Sequence, residues 1–169
     1  MKKIAIILIL ACIGCSKEKQ DKYFDPEDIN SLNLETISNF WGEDGIKDTS
    51  YYMGMHFEDH PGFIKGVRLV GVNKAVWISL FDSQNNAVSA MEARQTDVAC
   101  IIQNGNSNAV NGKWWYSKCT GTNIVFVNQW NIIIEIDYEY PDFEGIKNIL
   151  YDTANEIAER VDKLSSVVE

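Results

Sequence analysis

The C-terminal quarter of the chain, residues 123–164, is the stretch that most constrains the fold. Two apolar runs, residues 124–127 and 132–138, are separated by four residues, a length typical of a β-hairpin loop. Further on, apolar residues recur every three or four positions, as they do on one face of a helix. The residues of this stripe are Ile146, Ile149, Leu150, Thr153, Ala154, Ile157, Ala158, Val161 and Leu164. We therefore expect two paired strands whose apolar face is covered by a long helix, which Asp142 can cap.

The second apolar run also carries acidic residues at every second position, namely Glu135, Asp137 and Glu139. Alternate side chains of a strand point to the same side of a sheet, and antiparallel sheets commonly have one face in water. We therefore expect these carboxylates to lie on a solvated face. Catalytic pairing or calcium binding by the same three residues is the alternative interpretation.

A similar order of elements is predicted in the middle of the chain. Residues 67–72 and 75–81 are two apolar runs with a two-residue connection, which predicts a second hairpin. Asp82 or Ser83 can then cap a helix. The apolar residues of this helix are Ala87, Val88, Met91 and Ala93.

Two further strands are expected at residues 97–103 and 113–119, between the two strand–strand–helix units. The repeated order of elements indicates a duplicated unit. The predicted fold class is therefore α+β, with a largely antiparallel sheet and both helices on one face of it, in two layers.

The N-terminal part of the domain is predicted to be helical before a strand begins. Asp25 can cap a helix that starts at Pro26, and Gly42 can end it. One helix and two short helices broken near Asn33 are both compatible with the sequence. Residues 50–57 alternate between apolar and polar side chains, which predicts a strand.

The first residues of the chain are typical of an export signal. Lys2 and Lys3 are followed by an apolar run of ten residues, 4–13. A helix of this length spans about 15 Å, whereas the hydrocarbon core of a bilayer is about 30 Å thick. The run therefore predicts a secretory signal peptide that is not part of the folded domain.

The residues around Cys12 and Cys15 resemble the lipobox of bacterial lipoproteins. In that family a small residue precedes a cysteine, which is lipidated and becomes the mature N-terminus. Ala11 precedes Cys12 and Gly14 precedes Cys15, so both cysteines fit the pattern. Cleavage before Cys12 would leave an odd thiol in the mature chain, whereas cleavage before Cys15 leaves two cysteines in the domain. The resemblance therefore implies lipidation of Cys15, with Cys12 as the alternative.

These boundaries divide the chain into a signal peptide (residues 1–14), a lipidated N-terminus with a tether (15–24) and a single α+β domain (25–169). Loss of Lys2 and Lys3 with the signal peptide lowers the formal net charge from −9 to −11. Because so acidic a domain repels nucleic acids and anionic headgroups, we expect no nucleic-acid partner. The expected location is the bacterial cell envelope, with the lipid as the membrane anchor and the domain facing the periplasm or the exterior.

The remaining cysteines and the two histidines are candidates for a disulfide bond and for metal binding. Cys100 and Cys119 lie on predicted strands, and we expect a structural disulfide between them because exported proteins meet an oxidising compartment. His56 and His60 are weak candidates for metal ligands. They are predicted to lie on a strand and in a turn, whereas the H-E-x-x-H metal-binding motif requires a helix. We expect neither a metal nor another cofactor.

Aromatic residues are concentrated near two predicted turns. Trp114, Trp115, Tyr116 and Trp130 are the candidates for contact with a sugar or a protein ligand. Packing in the core or at a sheet edge is the alternative.

The predicted domain is similar to the extracellular sensor domains of mycobacterial serine/threonine kinases and to several uncharacterised lipoprotein families. The shared features are Phe81, Ser83 and Ala87 after an apolar strand, Trp115 and Cys119 further on, and a closing helix. The resemblance implies a fold and no particular activity.

No nucleotide-binding loop, α/β-hydrolase nucleophile motif or zinc-finger spacing occurs in the sequence. We therefore expect a non-enzymatic envelope domain that binds a protein or a small molecule. The alternative is a carbohydrate-active or hydrolytic accessory that uses Trp114, Trp115 and the acidic strand residues. Two carboxylates about 5–10 Å apart in a cleft beside these tryptophans would favour the alternative.

Overall fold

The computed structural model describes residues 21–37, 40–42, 45–46, 48–50, 57–97, 101–106, 113–119, 122–139 and 143–168. The strands in these ranges are β1 (Lys22–Tyr23), β2 (Asp48–Ser50), β3 (Phe63–Gly71), β4 (Lys74–Phe81), β5 (Ile101–Asn106), β6 (Lys113–Cys119), β7 (Thr122–Gln129), β8 (Ile132–Tyr138) and β9 (Ser166–Val167). The α-helices are α1 (Gln84–Asp97) and α2 (Phe143–Leu164), and two 3₁₀ helices span Pro26–Leu32 and Leu34–Thr36.

Strands β2 to β8 form one antiparallel sheet in the order β2-β3-β4-β8-β7-β6-β5, while β1 pairs with β9 in a separate ribbon. Strand β8 lies at the centre of the sheet, between β4 and β7. Because helices cover both faces there, residues 132–136 are all buried.

Two tight turns set the register of the central hairpins. Asn73 lies between β3 and β4, and Trp130 and Asn131 connect β7 to β8. Asn73 and Trp130 have φ values of 57° and 53°, in the left-handed region that two-residue hairpin loops use. The second loop is shorter than the four residues expected, because β7 continues through Gln129.

The two α-helices pack on opposite faces of the sheet. On one face, α2 and the 3₁₀ helices join a large apolar cluster with Ile134 and other strand residues. On the other face, Ala87, Ala90 and Met91 of α1 pack in a smaller cluster with Ile133. Ile133 and Ile134 are adjacent on β8, so their side chains point to opposite faces. The α+β class and the largely antiparallel sheet covered by helices are confirmed, whereas the placement of both helices on one face is wrong.

The apolar stripe of α2 packs against the sheet nearly as predicted. Its buried residues are Ile146, Leu150, Thr153, Ala154, Ile157, Ala158 and Val161. Ile149 lies at the margin of the stripe and is 36% exposed, so it is not part of the contact. The long helix is therefore the cover of the larger cluster.

The N-terminal segment forms two short helices, which decides between the two alternatives left by the sequence. Asn33 separates them and adopts a left-handed conformation with φ 47°. Asp25 caps the first helix by accepting a hydrogen bond from the backbone N–H of Glu27. Arg160 of α2 donates to the carbonyl oxygens of Leu32 and Asn33 at 2.7 and 2.6 Å. These bonds attach the break between the helices to α2.

Residues before Asp25 contact the folded domain. Lys22 donates to the backbone oxygen and the carboxylate of Asp162 at 3.0 and 3.1 Å. Phe24 is fully buried, and its backbone N–H and C=O both bond to the side-chain amide of Asn131, at 2.8 and 3.1 Å. Contacts with the folded domain therefore extend to Lys22, three residues before the predicted start of the domain at Asp25.

Some predicted elements differ in extent or lie outside the description. Helix α1 begins after Ser83, whose hydroxyl accepts a hydrogen bond from the backbone N–H of Asn86, as the capping prediction requires. Of the strand predicted at 97–103, Asp97 belongs to α1, residues 98–100 lie outside the described residues, and β5 spans Ile101–Asn106. Asp142 and residues 51–56 of the strand predicted at 50–57 lie outside the described residues.

Candidate functional site

A cluster of charged side chains lies on the sheet face that α1 covers. Glu135 of β8 is paired with Trp77 of β4, and Trp77 is paired with Arg68 of β3. Directly opposed residues of neighbouring strands point to the same face, and Asp137 shares this face two residues further along β8. Glu135 is only 2% exposed, and Asp137 is largely buried. The prediction of a solvated face is therefore wrong for Glu135, whereas Asp137 is partly exposed and Glu139 is exposed as predicted.

Small side chains on α1 allow the helix to cover this face. Ala87 and Ala90 are fully buried beneath it, and an alanine lets a helix approach a sheet closely. One turn beyond Ala90, Arg94 brings a positive charge close enough to act on Asp137. We refer to Arg68, Arg94, Glu135 and Asp137 as the charge cluster.

The charge cluster makes ionisation of Asp137 unfavourable in the folded protein. Burial is the main reason why the pKa of Asp137 lies well above its usual range, and the negative charge of Glu135 raises it further. The guanidinium groups of Arg94 and Arg68, and a polar contact with Trp77, lower the pKa and oppose this effect. An additional cation at the Asp137 carboxylate would stabilise its ionised form.

Several polar atoms of the charge cluster lack partners. The Nε atoms of Arg68 and Arg94 and the Oδ1 atom of Asp137 have no hydrogen-bond partner in the part of the chain that the structure describes. Buried polar atoms are normally bonded to protein or to ordered water. Three such atoms in one place indicate that water or a polar ligand completes the cluster.

The charge cluster opens beside α1 into a groove of about 240 Å³. The groove is defined here by the residues that give it its chemistry, Arg68, Val70, Ala75, Trp77, Asp137 and Glu139. The guanidinium carbon of Arg68 lies 4.5 Å from the ring centroid of Trp77, a cation–π contact that orients the guanidinium. A cation, two carboxylates and an aromatic ring therefore meet in one open site.

Lys74 also lines the groove, but its ammonium is engaged elsewhere. It donates to the carbonyl oxygen of Phe40 at 2.5 Å and lies over the rings of Phe40 and Tyr138, 5.5 and 5.2 Å from their centroids. Arg68 is consequently the cation that we consider for contact with a ligand.

The two buried carboxylates do not form an accessible catalytic pair. Glu135 and Asp137 are alternate residues of one strand, so their Cα atoms lie about 7 Å apart. Their side chains share one face of the sheet, but Glu135 is buried with only 2% of its surface exposed. A substrate in the groove would meet Asp137 and not Glu135. The site can hold a charged molecule, whereas catalysis by two carboxylates needs access to both.

The predicted aromatic site is not assembled with this groove. Trp114, Trp115 and Tyr116 lie on β6, where they pair with residues of β7, and β8 separates β7 from β4. Trp115 occupies the same row across the sheet as Glu135, two strands away and hence about 10 Å distant. Trp130 is buried in the β7–β8 turn and its indole N–H donates to Asp162 at 2.9 Å, so it packs the core.

The other predicted sites are only partly described. Cys119 ends β6, and Cys100 lies outside the described residues, as do Cys12 and Cys15. His60 follows a turn that begins at Phe57, and the ring centroids of these two residues lie 6.2 Å apart. His56 lies outside the described residues.

Metal-ligand clusters and membrane-spanning helices are both absent from the described residues. No group of three or more histidine, cysteine, aspartate or glutamate residues in those ranges is arranged to hold a metal ion. No helix in the same ranges is both long and apolar enough to cross a bilayer.

A larger cavity of about 490 Å³ lies between the N-terminal 3₁₀ helices and β3. Ile29, Leu34, Val67 and Leu69 line it, and each of them is at most 6% exposed. Glu35 is the ionisable residue at its rim. This cavity offers less specific chemistry than the groove.

Sequence reasoning missed Arg68, Trp77 and Arg94 as parts of a site. The turn predicted at residues 73–74 would place Arg68 opposite Ser79, whereas the observed turn lies one residue earlier and places Arg68 opposite Trp77. For Arg94 no signal was available, since nothing in the sequence shows that α1 covers the acidic face of β8.

No protein-family model matches the chain, and no curated protein matches it. Among solved structures, the chain is similar to a GTP-binding regulator from Thermotoga maritima, with a TM-score of 0.47 and 14% sequence identity. The match covers 82% of this chain and 96% of the other chain.

Proposed function

We propose that the chain is a lipid-anchored protein of the bacterial cell envelope whose folded domain binds a ligand in the groove beside α1. The lipid on Cys15 would provide attachment to the membrane. The groove residues Arg68, Trp77 and Asp137 would contact the ligand. The domain would act by binding and not by catalysis.

The observation that carries the binding role is the concentration of buried charge around an open groove. A carboxylate with a raised pKa reduces stability, and so do the buried Nε atoms of Arg68 and Arg94, which lack hydrogen-bond partners in the described part of the chain. A sheet face under a helix is more stable with apolar residues. Charged side chains that reduce stability in such a place are found mainly at functional sites. Arg68 and Asp137 both reach the groove, so a ligand there is the role that best accounts for them.

Binding is favoured over hydrolysis because only one buried carboxylate reaches the groove. Asp137 lines it, whereas Glu135 is covered. Trp114 and Trp115, which the hydrolytic alternative would use, lie on a strand that is not adjacent to the groove.

The anchoring role is supported by the export signal and by where the fold begins. Lys22 in β1 is held by Asp162, so residues 16–21 connect Cys15 to the domain. Six extended residues reach about 20 Å. A domain on so short a tether would stay close to the bilayer surface.

Thermal unfolding in the presence of small polar compounds tests the binding role. The detergent-solubilised protein is melted with amino acids, sugars, nucleotides, short peptides and divalent cations. We expect at least one class to raise the Tm of the native protein and to leave the Tm of the Arg68→Ala variant unchanged. Lys147→Ala removes a cation from the outer surface of α2 and serves as the matched control.

An equal response of Arg68→Ala and the native protein to every compound would contradict the proposal. So would the absence of any response. Release of sugars from cell-wall polymer that is lost in Asp137→Asn would instead establish the hydrolytic alternative.

A further inference from the structure

We infer that the groove beside α1 binds a small zwitterion, such as an α-amino acid, with its carboxylate on Arg68 and its ammonium on Asp137. This inference rests on the proposed binding role of the groove and names the class of ligand. It follows from the charged residues of the groove, from the placement of opposite charges at its two ends and from its volume.

The two ends of the groove have opposite charge. Arg68 lies on β3, whereas Asp137 and Glu139 lie on or next to β8, with β4 between them. Two strand spacings and an offset of two residues along the strands separate the Cα atoms of Arg68 and Asp137 by about 12 Å. Side chains that extend from both ends shorten this gap. A short molecule with one charge of each sign can therefore contact both.

The basic end is suited to a carboxylate. The guanidinium of Arg68 is held over the Trp77 ring at 4.5 Å, which fixes its plane. A fixed guanidinium can present two N–H groups to the two oxygens of a carboxylate. The Arg68 Nε atom is buried and has no hydrogen-bond partner within the described ranges, so the protein does not fully satisfy this guanidinium there.

The acidic end is suited to an ammonium group. Asp137 is largely buried, and its Oδ1 atom has no hydrogen-bond partner among the residues described. Glu139 adds a second carboxylate at the exposed rim on the same side. An ammonium has three donors and a positive charge, so it can bond to Asp137 and pair with Glu139.

A ligand with a single charge fits less well. A simple anion on Arg68 would lie in the field of Asp137 and Glu139, and a simple cation at Asp137 would lie in the field of Arg68. A zwitterion offers each end of the groove a group of the opposite charge. This argument excludes plain carboxylates and plain amines as the best ligands.

The volume limits the ligand to a small molecule. The groove holds about 240 Å³, and pockets for drug-sized ligands typically hold about 300–1,000 Å³. Val70, Ala75 and the ring of Trp77 provide an apolar wall between the charged ends. A short apolar side chain can rest on this wall.

Calorimetric titration of the detergent-solubilised protein with three matched probes tests the inference. L-Alanine carries both charges, propionate lacks its amino group and ethylamine lacks its carboxylate. We expect alanine to bind and each single-charge probe to bind at least about tenfold more weakly, as for loss of one charge-assisted hydrogen bond.

Two groove variants locate the contacts. Arg68→Ala and Asp137→Asn should each weaken alanine binding by about tenfold or more. Lys147→Ala and Asp152→Asn, which remove the same charges from α2 on the opposite face, should bind alanine like the native protein. Thermal melts without ligand show that each variant is folded.

Three results would overturn the inference. These are no binding of alanine, equal binding of alanine and propionate or ethylamine, and alanine binding that neither groove variant weakens. If alanine fails but a sugar or nucleotide binds in an Arg68-dependent manner, the zwitterion is wrong and the proposed binding role stands. If no compound of any class depends on Arg68, both are wrong.

Discussion

Asp137 shows, at the scale of a single residue, that a charged site within the sheet lowers the stability of the fold. Its carboxylate is desolvated and lies near Glu135, so its pKa is raised in the folded state. The unfolded chain has the ordinary aspartate pKa of about 4. Between these two pKa values the folded protein holds a proton that the unfolded chain has released, so the stability falls as the pH rises.

The variant Asp137→Asn should remove this pH dependence. We expect it to gain stability relative to the native protein as the pH is raised from 4 to 7, by about 1.4 kcal/mol for each pH unit between the two pKa values. Urea unfolding at pH 4, 5.5 and 7 measures the difference. Asp152→Asn on the exposed side of α2 is the control and should follow the native curve. A constant difference between Asp137→Asn and the native protein at all three values would contradict the raised pKa.

Gly62 is a second residue whose role can be tested alone. It has φ +80°, and a Cβ there would lie 2.9 Å from the Cβ of Asn86 and closer still to the side-chain tips of Asp82 and Asn86. Gly45 has φ +62°, but no atom that the structure describes would lie within 4 Å of its Cβ. The pair therefore separates backbone strain from steric overlap.

Gly45→Ala should cost about 1–2 kcal/mol for the left-handed backbone alone. Gly62→Ala should cost about 1–3 kcal/mol more, because the added methyl group overpacks the start of α1. Urea midpoints of the two variants give the comparison. Equal losses would show that the contact between Gly62 and α1 is not close.

At this scale the sequence predicted individual caps but not the site. Ser83 and Asp25 cap helices as expected, because a cap depends on residues close in sequence. The charge cluster joins side chains from β3, β4, β8 and α1, which are distant in sequence. Such a site requires the packing of α1 to be known.

At the scale of elements, α2 should be indispensable for the fold. Ile157 is fully buried in the larger apolar cluster, whereas Glu159 is exposed on the same helix. Ile157→Ala should reduce the free energy of unfolding by about 2–5 kcal/mol through the cavity it leaves. Glu159→Ala should cost less than about 0.5 kcal/mol. Equal urea midpoints for the two variants would mean that this stripe does not cover the core.

Strands β5 and β6 make the predicted disulfide testable. They are neighbours, as a bond between Cys100 and Cys119 requires, and Ile101 pairs with Lys118. These paired residues directly follow Cys100 and directly precede Cys119 in the chain. We expect the exported protein, unfolded without reductant, to show no reactive thiol at either cysteine, and the Cys119→Ser variant to show one at Cys100. Labelling of both cysteines in the native sequence would refute the bond.

The elements also show why periodicity succeeded for α2 and failed for the acidic face. The stripe of α2 is made of large apolar residues and directly predicts its contact. The buried face of α1 consists of Ala87, Ala90 and Met91, a weaker apolar signal than the stripe of α2. Because nothing in the sequence indicated that α1 covers this face, the alternating acidic residues of β8 predicted a solvent-exposed face.

At the scale of the whole molecule, the two faces of the sheet have different tasks. The face under α2 and the 3₁₀ helices carries the larger apolar cluster. The face under α1 carries the smaller cluster and the charge cluster, and the groove opens beside it. The α+β class was predictable from the order of strands and helices, whereas the choice of face for α1 was not.

The proposed location at the cell envelope requires that a lipid on Cys15 holds the domain at the membrane. Mass spectrometry of the N-terminal peptide, taken from the membrane fraction of the expressing bacterium, tests this directly. The account predicts a mature chain that begins at Cys15 and carries acyl groups on that residue. An acylated N-terminus at Cys12 would contradict the predicted cleavage site, and an unmodified protein in the soluble fraction would contradict anchoring altogether.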